Sequence, residues 1–161
     1  MDILDEITAH KRLEVAAQKR EVPLRSLQGR VEPLLAGPKP PSMAAALLAS
    51  PSGIIAEFKR KSPSKGWIQE AGDAAVIPLG YQRNGAAALS ILADGKYFGG
   101  SPDFITTARE SGVTLPILYK EFVVDEYQLY MARLCGASAV LLIAAELSLE
   151  ECRQLLGAAH A

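Results

Sequence analysis

The order of apolar and polar residues divides the chain into short apolar runs and longer stretches with one apolar side. Four apolar runs, each bounded by turn-forming residues or by charges, lie at residues 53–59, 86–92, 116–120 and 138–143. Stretches with helical spacing of apolar residues follow them at residues 74–83, 102–111, 127–134 and 148–157. Apolar runs of about five to seven residues predict strands buried on both faces, and the stretches between them predict helices.

The alternation of strands and helices sets the fold class. It predicts βαβ units and a parallel sheet, which is an α/β architecture. The interval between successive predicted strands suits both a doubly wound sheet and a (β/α)8 barrel. Periodicity alone therefore leaves these two architectures open.

Prolines, glycines and serines modify two of the predicted helices. Pro78 and Gly80 lie inside the predicted helix 74–83, and a proline about one turn into a helix removes a backbone hydrogen bond. We therefore expect this helix to be the least regular one. Ser101 is the predicted N-cap of the helix that follows the second strand.

The residues before the first apolar run have a different pattern. Residues 3–19 predict an amphipathic helix, and the Pro/Gly-rich segment 37–41 predicts a break after it. Ser42 is placed to cap a short helix over residues 43–48. We assign residues 1–52 to an N-terminal helical extension.

Composition narrows the range of functions. Hydrophobic residues make up 49% of the chain, enough to bury a core. Lys and Arg number 17 against 18 Asp and Glu, and this net charge of −1 argues against nucleic acid or an anionic membrane as the partner. No stretch approaches the roughly 20 apolar residues of a membrane span, and the N-terminus does not resemble a secretory signal. We expect a cytoplasmic protein.

The cysteines and histidines indicate no metal or redox site. Cys135 and Cys152 are too far apart for a CxxC motif, and their apolar surroundings predict buried thiols. His10 and His160 are isolated and are expected at the surface. The sequence also has no metal-ligand spacing, P-loop or GxGxxG motif.

Charged residues stand at the ends of the first and third predicted strands. Because side chains alternate along a strand, Glu57 and Lys59 share one face while Phe58 takes the other. Lys120 likewise shares a face with Leu118. A carboxylate and lysines in such positions can shift one another's pKa values and act as acids or bases. A surface ion pair beside a solvated basic loop would give the same pattern.

Two loops add candidate ligand-binding groups. Residues 60–66, after the first strand, are rich in cations and hydroxyls, as an anion-binding loop requires. Residues 94–101, after the second strand, combine aromatic side chains with glycines that allow close approach to a ligand. An ordinary turn with one buried phenylalanine fits the second loop equally well.

Taken together, these segments resemble one family. Residues 54–64, which read IIAEFKRKSPS, resemble the signature of the indole-3-glycerol phosphate synthases. Further stretches resemble the same family in the same order, at residues 3–11, 90–101, 116–128 and 136–143. The resemblance implies a phosphate-binding (β/α)8 barrel. Residues 53–161 would be its first half, with four βα units after the helical extension.

The resemblance also implies a reaction and residue roles. The family closes the indole ring of 1-(2-carboxyphenylamino)-1-deoxyribulose 5-phosphate with loss of CO2 and water, and it uses no metal or organic cofactor. By resemblance, Lys120 is the general acid, Glu57 positions it or takes part in proton transfer, and Lys59 holds the substrate carboxylate. The residues implied to bind this anionic sugar phosphate are Ser62, Lys61, Phe98 and Phe122.

Some positions depart from the family pattern. Glu121 stands where the family usually has Asp, Ala93 replaces a usual Thr, and Pro78 replaces a usual Ala. The family runs to roughly 250 residues, and its second catalytic glutamate and glycine-rich phosphate cradle lie on later strands that this sequence does not contain. We therefore expect an incomplete, inactive fragment that can self-associate through open sheet edges.

Two other functions stay open. Phosphoribosylanthranilate isomerase is another phosphate-binding barrel, but it lacks the Glu-x-Lys-x-x-Ser-Pro-Ser signature and the N-terminal extension. A degenerate half-barrel could instead be a non-catalytic binding or structural module. The joint presence of Glu57, Lys59 and Lys120 fits such decay poorly and favours the enzyme.

Overall fold

The computed structural model describes residues 2–160, in which three helices precede the first strand and strands and helices alternate from α4 onward. Its helices are α1 (Ile3–Glu21), α2 (Leu24–Leu35), α3 (Met43–Ala49), α4 (Ile77–Arg83), α5 (Asp103–Glu110), α6 (Glu126–Leu134) and α7 (Leu149–His160). Its strands are β1 (Ile55–Phe58), β2 (Lys61–Ser62), β3 (Gly66–Trp67), β4 (Ala88–Leu92), β5 (Ile117–Lys120) and β6 (Ala139–Val140).

Four strands form one parallel sheet in the order β1-β4-β5-β6. Glu57 of β1 lies opposite Ser90 of β4, and Ser90 lies opposite Leu118 of β5. Helices α4, α5 and α6 connect successive strands, so the carboxyl ends of all four strands meet at one edge, called the mouth below. The sheet confirms the predicted α/β fold of a partial (β/α)8 barrel.

The core fills the space between this sheet and its helices. Strand β4 is buried along its whole length, as expected for a parallel strand covered on both faces. Ile91, Ile117 and Ile105 are fully buried there. Phe58 enters the same core and meets Phe104 of α5 edge to face, with ring centroids 5.7 Å apart.

The N-terminal helices pack against α6. Tyr127 of α6 is buried with Val15 of α1 and Leu27 of α2, and the rest of its apolar stripe covers this cluster. Arg133 of α6 donates a hydrogen bond to the Leu34 carbonyl at the end of α2. The predicted stripe on α6 therefore joins the N-terminal helices to the sheet.

Two elements were not predicted from the sequence. Helix α2 contains Gly29 and Pro33, which hide its helical signal, although Leu27 and Val31 lie one turn apart and are buried. The loop after β1 contains a short antiparallel hairpin in which β2 pairs with β3. The cation-rich loop is thus ordered by backbone pairing.

The predicted start of the helix that contains Pro78 was wrong, whereas its expected irregularity stays a prediction. Helix α4 begins only at Ile77, so Pro78 occupies its first turn, where the missing N–H has no helical acceptor to lose. Helix α4 is therefore only 7 residues long. The fourth strand is also shorter than the predicted 138–143, because only Ala139 and Val140 pair with β5.

The predicted serine caps have different outcomes. Ser42 is the N-cap of α3, and its side chain accepts a hydrogen bond from the Ala45 N–H, as predicted. Pro102, rather than Ser101, occupies the N-cap position of α5. The Ser101 hydroxyl still accepts the Asp103 N–H at 3.2 Å.

The cysteines are free thiols. Cys135 is buried, and burial raises its pKa to about 11, while Cys152 is only half-buried. Among residues 2–160, no helix is long and apolar enough to cross a membrane. No cluster of three or more metal-ligating side chains occurs in this same part of the chain.

Candidate active site

One carboxylate lies between two lysines at the mouth. The Glu57 carboxylate is 3.2 Å from the Lys59 ammonium and 3.1 Å from that of Lys120. Alternation along β1 and into the residue after it brings Glu57 and Lys59 to the same face, and parallel register brings Lys120 of β5 alongside them. The structure thus unites the three residues that the family resemblance placed in catalysis.

Ser90 completes this group, although sequence reasoning missed it. Its hydroxyl donates a hydrogen bond of 3.0 Å to Glu57 from the intervening strand β4. Ser90 is buried and is the single hydroxyl in an otherwise apolar strand. A lone polar residue at the centre of a buried strand was the available signal, because a buried hydroxyl requires a partner.

The surroundings of Glu57 keep its carboxylate ionised. Partial burial favours the neutral acid, but hydrogen bonds from Lys120, Lys59 and Ser90, together with the Lys120 charge, outweigh it and lower the pKa of Glu57. The three charged side chains keep 30–36% of their surface exposed. They are therefore accessible to a ligand that enters the mouth.

A cavity of about 490 Å³ opens next to this ion cluster. Its apolar walls come from Ile3, Leu4 and Ile7 of α1 and from Phe98 and Phe122, which follow β4 and β5. The two phenylalanine rings lie 5.8 Å apart at a tilt of 34°. Such a lining suits a flat aromatic group.

The polar side of the same cavity comes from the residue after β1 and from the hairpin. It is lined by Lys59, Ser62, Ser64 and Lys65, so it carries two ammonium groups and two hydroxyls. The Ser62 hydroxyl accepts the Lys65 N–H at 3.2 Å, which fixes the turn of the hairpin. Cations on one side and aromatic rings on the other match an anionic aromatic ligand.

Lys61 is not brought to this cavity. Its ammonium donates to the Lys96 carbonyl at 3.1 Å and lies over the Trp67 ring at 5.5 Å from the centroid. Side chains alternate along β2, so Lys61 and Ser62 point to opposite sides of the hairpin. The Trp67 ring also packs against Gly99, where a Cβ would approach it to 2.7 Å.

Sequence reasoning also missed a buried ion cluster behind the cavity. Lys11 of α1 is 1% exposed, and its ammonium lies 2.9 Å from Asp94, 3.1 Å from Glu121 and 3.0 Å from Glu14. The signal was present: Lys11 stands one turn from both Ile7 and Val15, on the buried side of the helix.

The charges in this cluster shift the pKa values of Lys11 and Glu121. Burial alone would lower the pKa of Lys11, but the carboxylates of Glu121, Asp94 and Glu14 reverse this effect and raise it. Burial raises the pKa of Glu121 to about 7, with Asp94 adding to the rise and Lys11 opposing it. Lys11 therefore stays protonated, whereas Glu121 can titrate near neutral pH.

The two histidines contribute nothing to the cavity. His10 is half-buried and packs edge to face on Tyr97, with ring centroids 5.8 Å apart, while His160 is exposed. The Tyr97 hydroxyl donates to Glu6 of α1 at 2.9 Å. The loop after β4 is thus attached to the N-terminal helix.

Comparisons with known proteins all indicate one family. A family model described as "Indole-3-glycerol phosphate synthase" matches residues 4–161. Proteins of that name from Bacteroides thetaiotaomicron and Aromatoleum aromaticum are 53% and 45% identical over 99% and 96% of this chain. One from Neisseria meningitidis is 44% identical over 99% of it. The chain spans about 60% of the length of these relatives.

Proposed function

Because the chain belongs to the indole-3-glycerol phosphate synthase family, we propose that it provides the first half of a site for decarboxylative closure of an indole ring. The substrate would be 1-(2-carboxyphenylamino)-1-deoxyribulose 5-phosphate, and the products would include CO2 and water. The observation that carries this proposal is the Glu57 carboxylate between Lys59 and Lys120, beside an aromatic-walled cavity.

Lys120 is the proposed general acid. Ring closure requires a proton on the ketone oxygen while the anthranilate carbon that carries the carboxylate attacks the ketone carbon. An ammonium at the mouth can supply this proton, and its contact with Glu57 fixes the direction in which it points. Glu57 would position Lys120 and take part in returning its proton. Loss of CO2 and then of water leaves the aromatic indole.

Lys59 is the proposed partner of the substrate carboxylate. Lys59 lines the cavity and forms an ion pair with Glu57. Its ammonium is therefore already held beside the space that an anion would enter. Ser62 would add a hydroxyl contact to an anionic group. Lys61 would contribute only after its ammonium leaves the Lys96 carbonyl, and it is the weakest member of the proposed set.

Phe98 and Phe122 are the proposed wall for the anthranilate ring. Together with Ile3, Leu4 and Ile7 of α1, their rings form an apolar lining that suits a flat aromatic ring. We also propose the division into a helical extension, residues 1–52, and a barrel half, residues 53–161. The extension would then close one side of the substrate site.

We propose no cofactor and a cytoplasmic location. Acid–base groups suffice for the reaction, because the substrate itself supplies the carboxylate and the hydroxyl that leave. A substrate that carries a phosphate and a carboxylate does not cross membranes unaided, so the site should lie where the substrate is made. Among larger partners, we propose only a second copy of this chain, paired through the open edges of the sheet.

Turnover measurements test the proposed reaction. We define the completed chimera as this chain joined to the C-terminal region of the Bacteroides thetaiotaomicron relative, which supplies the remaining part of the family length. Appearance of indole fluorescence from the ribulose phosphate is expected for the completed chimera and at most traces for the chain alone. A completed chimera that folds but gives no indole product would refute the proposal.

A matched pair of lysine variants tests the acid. Lys120→Ala should lower kcat of the completed chimera by about 100-fold or more, since general acids contribute on that order. Lys19→Ala is the control, because Lys19 is 36% exposed and pairs with Asp125 at 2.9 Å, much as Lys120 is 34% exposed and pairs with Glu57. Equal activity of the two variants would remove Lys120 from its proposed role.

A further inference from the structure

One buried lysine joins the N-terminal helix to two loops at the mouth. Lys11 of α1 contacts Asp94, which follows β4, and Glu121, which follows β5. All three side chains are at most 5% exposed. Replacing a buried ion cluster by apolar residues of the same volume is often neutral or stabilising, so burial alone gives no reason for a lysine here.

The carboxylate oxygens that do not contact Lys11 accept hydrogen bonds from the backbone of the two cavity phenylalanines. The second oxygen of Asp94 accepts the Tyr97 and Phe98 N–H groups at 2.7 and 3.1 Å. The second oxygen of Glu121 accepts the Phe122 N–H at 2.8 Å. Each carboxylate therefore connects Lys11 on one side to a phenylalanine of the cavity wall on the other.

The same lysine also influences the part of the cavity wall that α1 supplies. Ile7 lies one helical turn before Lys11 and lines the cavity, so the position of α1 sets the distance from Ile7 to the phenylalanine rings. A shift of α1 would widen the cavity, and a shift of either loop would turn a ring. The Lys11 ammonium therefore connects α1 to the loops after β4 and β5.

We propose that Lys11 is a positioning residue for the aromatic side of the substrate site, acting through Asp94 and Glu121 on Phe98 and Phe122. The functional consequence rests on the proposed function, because it assumes that the two phenylalanines hold the anthranilate ring. The claim that Lys11 fixes the positions of the two loops, called the mechanical claim below, rests on the contacts alone. Lys11 itself does not line the cavity and takes no part in proton transfer.

Amide hydrogen exchange in the 161-residue chain tests the mechanical claim. In Lys11→Met, the amides of Phe98 and Phe122 should exchange about tenfold faster or more, while those within β4 and β5 keep their protection. The control is Arg12→Met, which removes the next cation of α1 from its exposed pair with Glu151. Unchanged protection at Phe98 and Phe122 would overturn the proposal, as would equal loss at every amide.

A second variant covers the chance that Lys11→Met does not fold. Lys11→Met combined with Glu121→Gln removes one positive and one negative charge, so the local net charge equals that of the wild type. Its fold should persist, and Phe98 should still lose protection because Asp94 has lost its ammonium. Wild-type protection at Phe98 in this double variant would contradict the role of Lys11.

Binding of 2-aminobenzoate, the ring portion of the proposed substrate, tests the functional consequence. Fluorescence titration of the chain should show about tenfold weaker binding to Lys11→Met than to wild type, with Arg12→Met unchanged. Equal affinity in Lys11→Met would overturn the positioning role. No binding to the wild type would instead count against the proposed function, and the exchange result would still decide the mechanical claim.

Discussion

Glu57 determines how the two lysines of the mouth are arranged. Its two carboxylate oxygens are divided between them: one contacts Lys59, and the other contacts Lys120 and Ser90. An amide at this position would keep the shape of the side chain and lose its charge. The charge, rather than the packing, is therefore the property to test.

Glu57→Gln should lower kcat/KM of the completed chimera by about 100-fold, because Lys120 loses the partner that orients it. The unfolding midpoint should change little, since the pair is partly exposed and weakly stabilising. Steady-state turnover and thermal unfolding measure both effects. Glu110→Gln, an exposed carboxylate on α5, is the control, and an active Glu57→Gln variant would show that orientation by Glu57 is dispensable.

Glu121 should make stability depend on pH in an unusual direction. Burial raises the pKa of Glu121 to about 7 from the ordinary 4.5, so the folded state binds this proton more tightly than the unfolded state does. The resulting stabilisation is complete below pH 4.5 and is lost as the pH rises through 7. The lowered pKa of Glu57 acts only below pH 4.5 and with the opposite sign.

The groups that face Glu121 do not obscure this effect. They are Lys11, Asp94, Glu14 and Tyr119. The pKa values of Lys11 and Tyr119 are both raised, which keeps these two groups from titrating between pH 4.5 and 7. Burial also raises the pKa of Glu146, which adds to the slope with the same sign, so the difference between wild type and Glu121→Gln is the quantity that reports on Glu121.

Glu121→Gln should remove a loss of stability on the order of 1–3 kcal/mol between about pH 5 and 7.5, because the amide has no proton to release. Urea unfolding of wild type and variant at a series of pH values measures this. Parallel curves for the two proteins would contradict the assignment.

The sequence predicted the ion cluster at the mouth better than the one behind it. Strand alternation alone places Glu57 and Lys59 on one face, and the family resemblance adds Lys120. The environment of Lys11 depends on carboxylates more than 80 residues further along the chain, which local pattern does not bring together. Its position on the apolar side of α1 was the only local sign.

Strands and helices with strong periodicity were predicted within a few residues of their observed bounds. Those with mixed signals were predicted less well: Gly29 and Pro33 concealed α2, and α4 begins at Ile77 rather than at residue 74, with Pro78 in its first turn. The hairpin of β2 and β3 was missed because strands of two residues have no period to detect. For α2, packing of Leu27 against α6, rather than intrinsic preference, decides the element.

The loop after β4 depends on a glycine that packs against the strand it leaves. A Cβ at Gly100 would lie 2.6 Å from the carbonyl carbon of Leu92 and closer still to its oxygen, and both atoms belong to the backbone of β4. The Gly100 N–H also donates to the Asp94 carbonyl at 2.7 Å. The chain can accept a side chain there only by moving the loop that carries Phe98.

Gly100→Ala should therefore lower the free energy of unfolding by roughly 1–3 kcal/mol, the range for overpacking. Chemical denaturation measures this loss. Gly95→Ala is the control from the same loop, because its Cβ would meet only ordinary contact at 3.7 Å. Equal stability of the two variants would show that the loop moves freely.

The sheet as a whole has two open edges. Within residues 2–160, β1 and β6 each pair with another strand on one side only, and Ile54 and Ile55 beside the β1 edge are 56% and 43% exposed. Open parallel edges with exposed apolar side chains favour pairing with another chain. This feature supports the proposed self-association of the chain.

Size-exclusion chromatography with light scattering should show dimers or larger species of the chain at micromolar concentration. Ile55→Lys should shift the population toward monomer, because a charge on an edge strand opposes pairing. Leu13→Lys, at a residue that is 71% exposed on α1, is the control. A folded wild-type chain that stays monomeric would contradict the proposal.

The most direct test of the assembled site is a crystal structure of the completed chimera with the alcohol obtained by reducing the ketone of the substrate. The account predicts the ligand hydroxyl within hydrogen-bonding distance of the Lys120 ammonium, its carboxylate at Lys59, and its ring between α1 and the rings of Phe98 and Phe122. A ligand bound elsewhere, or with its ring away from these phenylalanines, would contradict it.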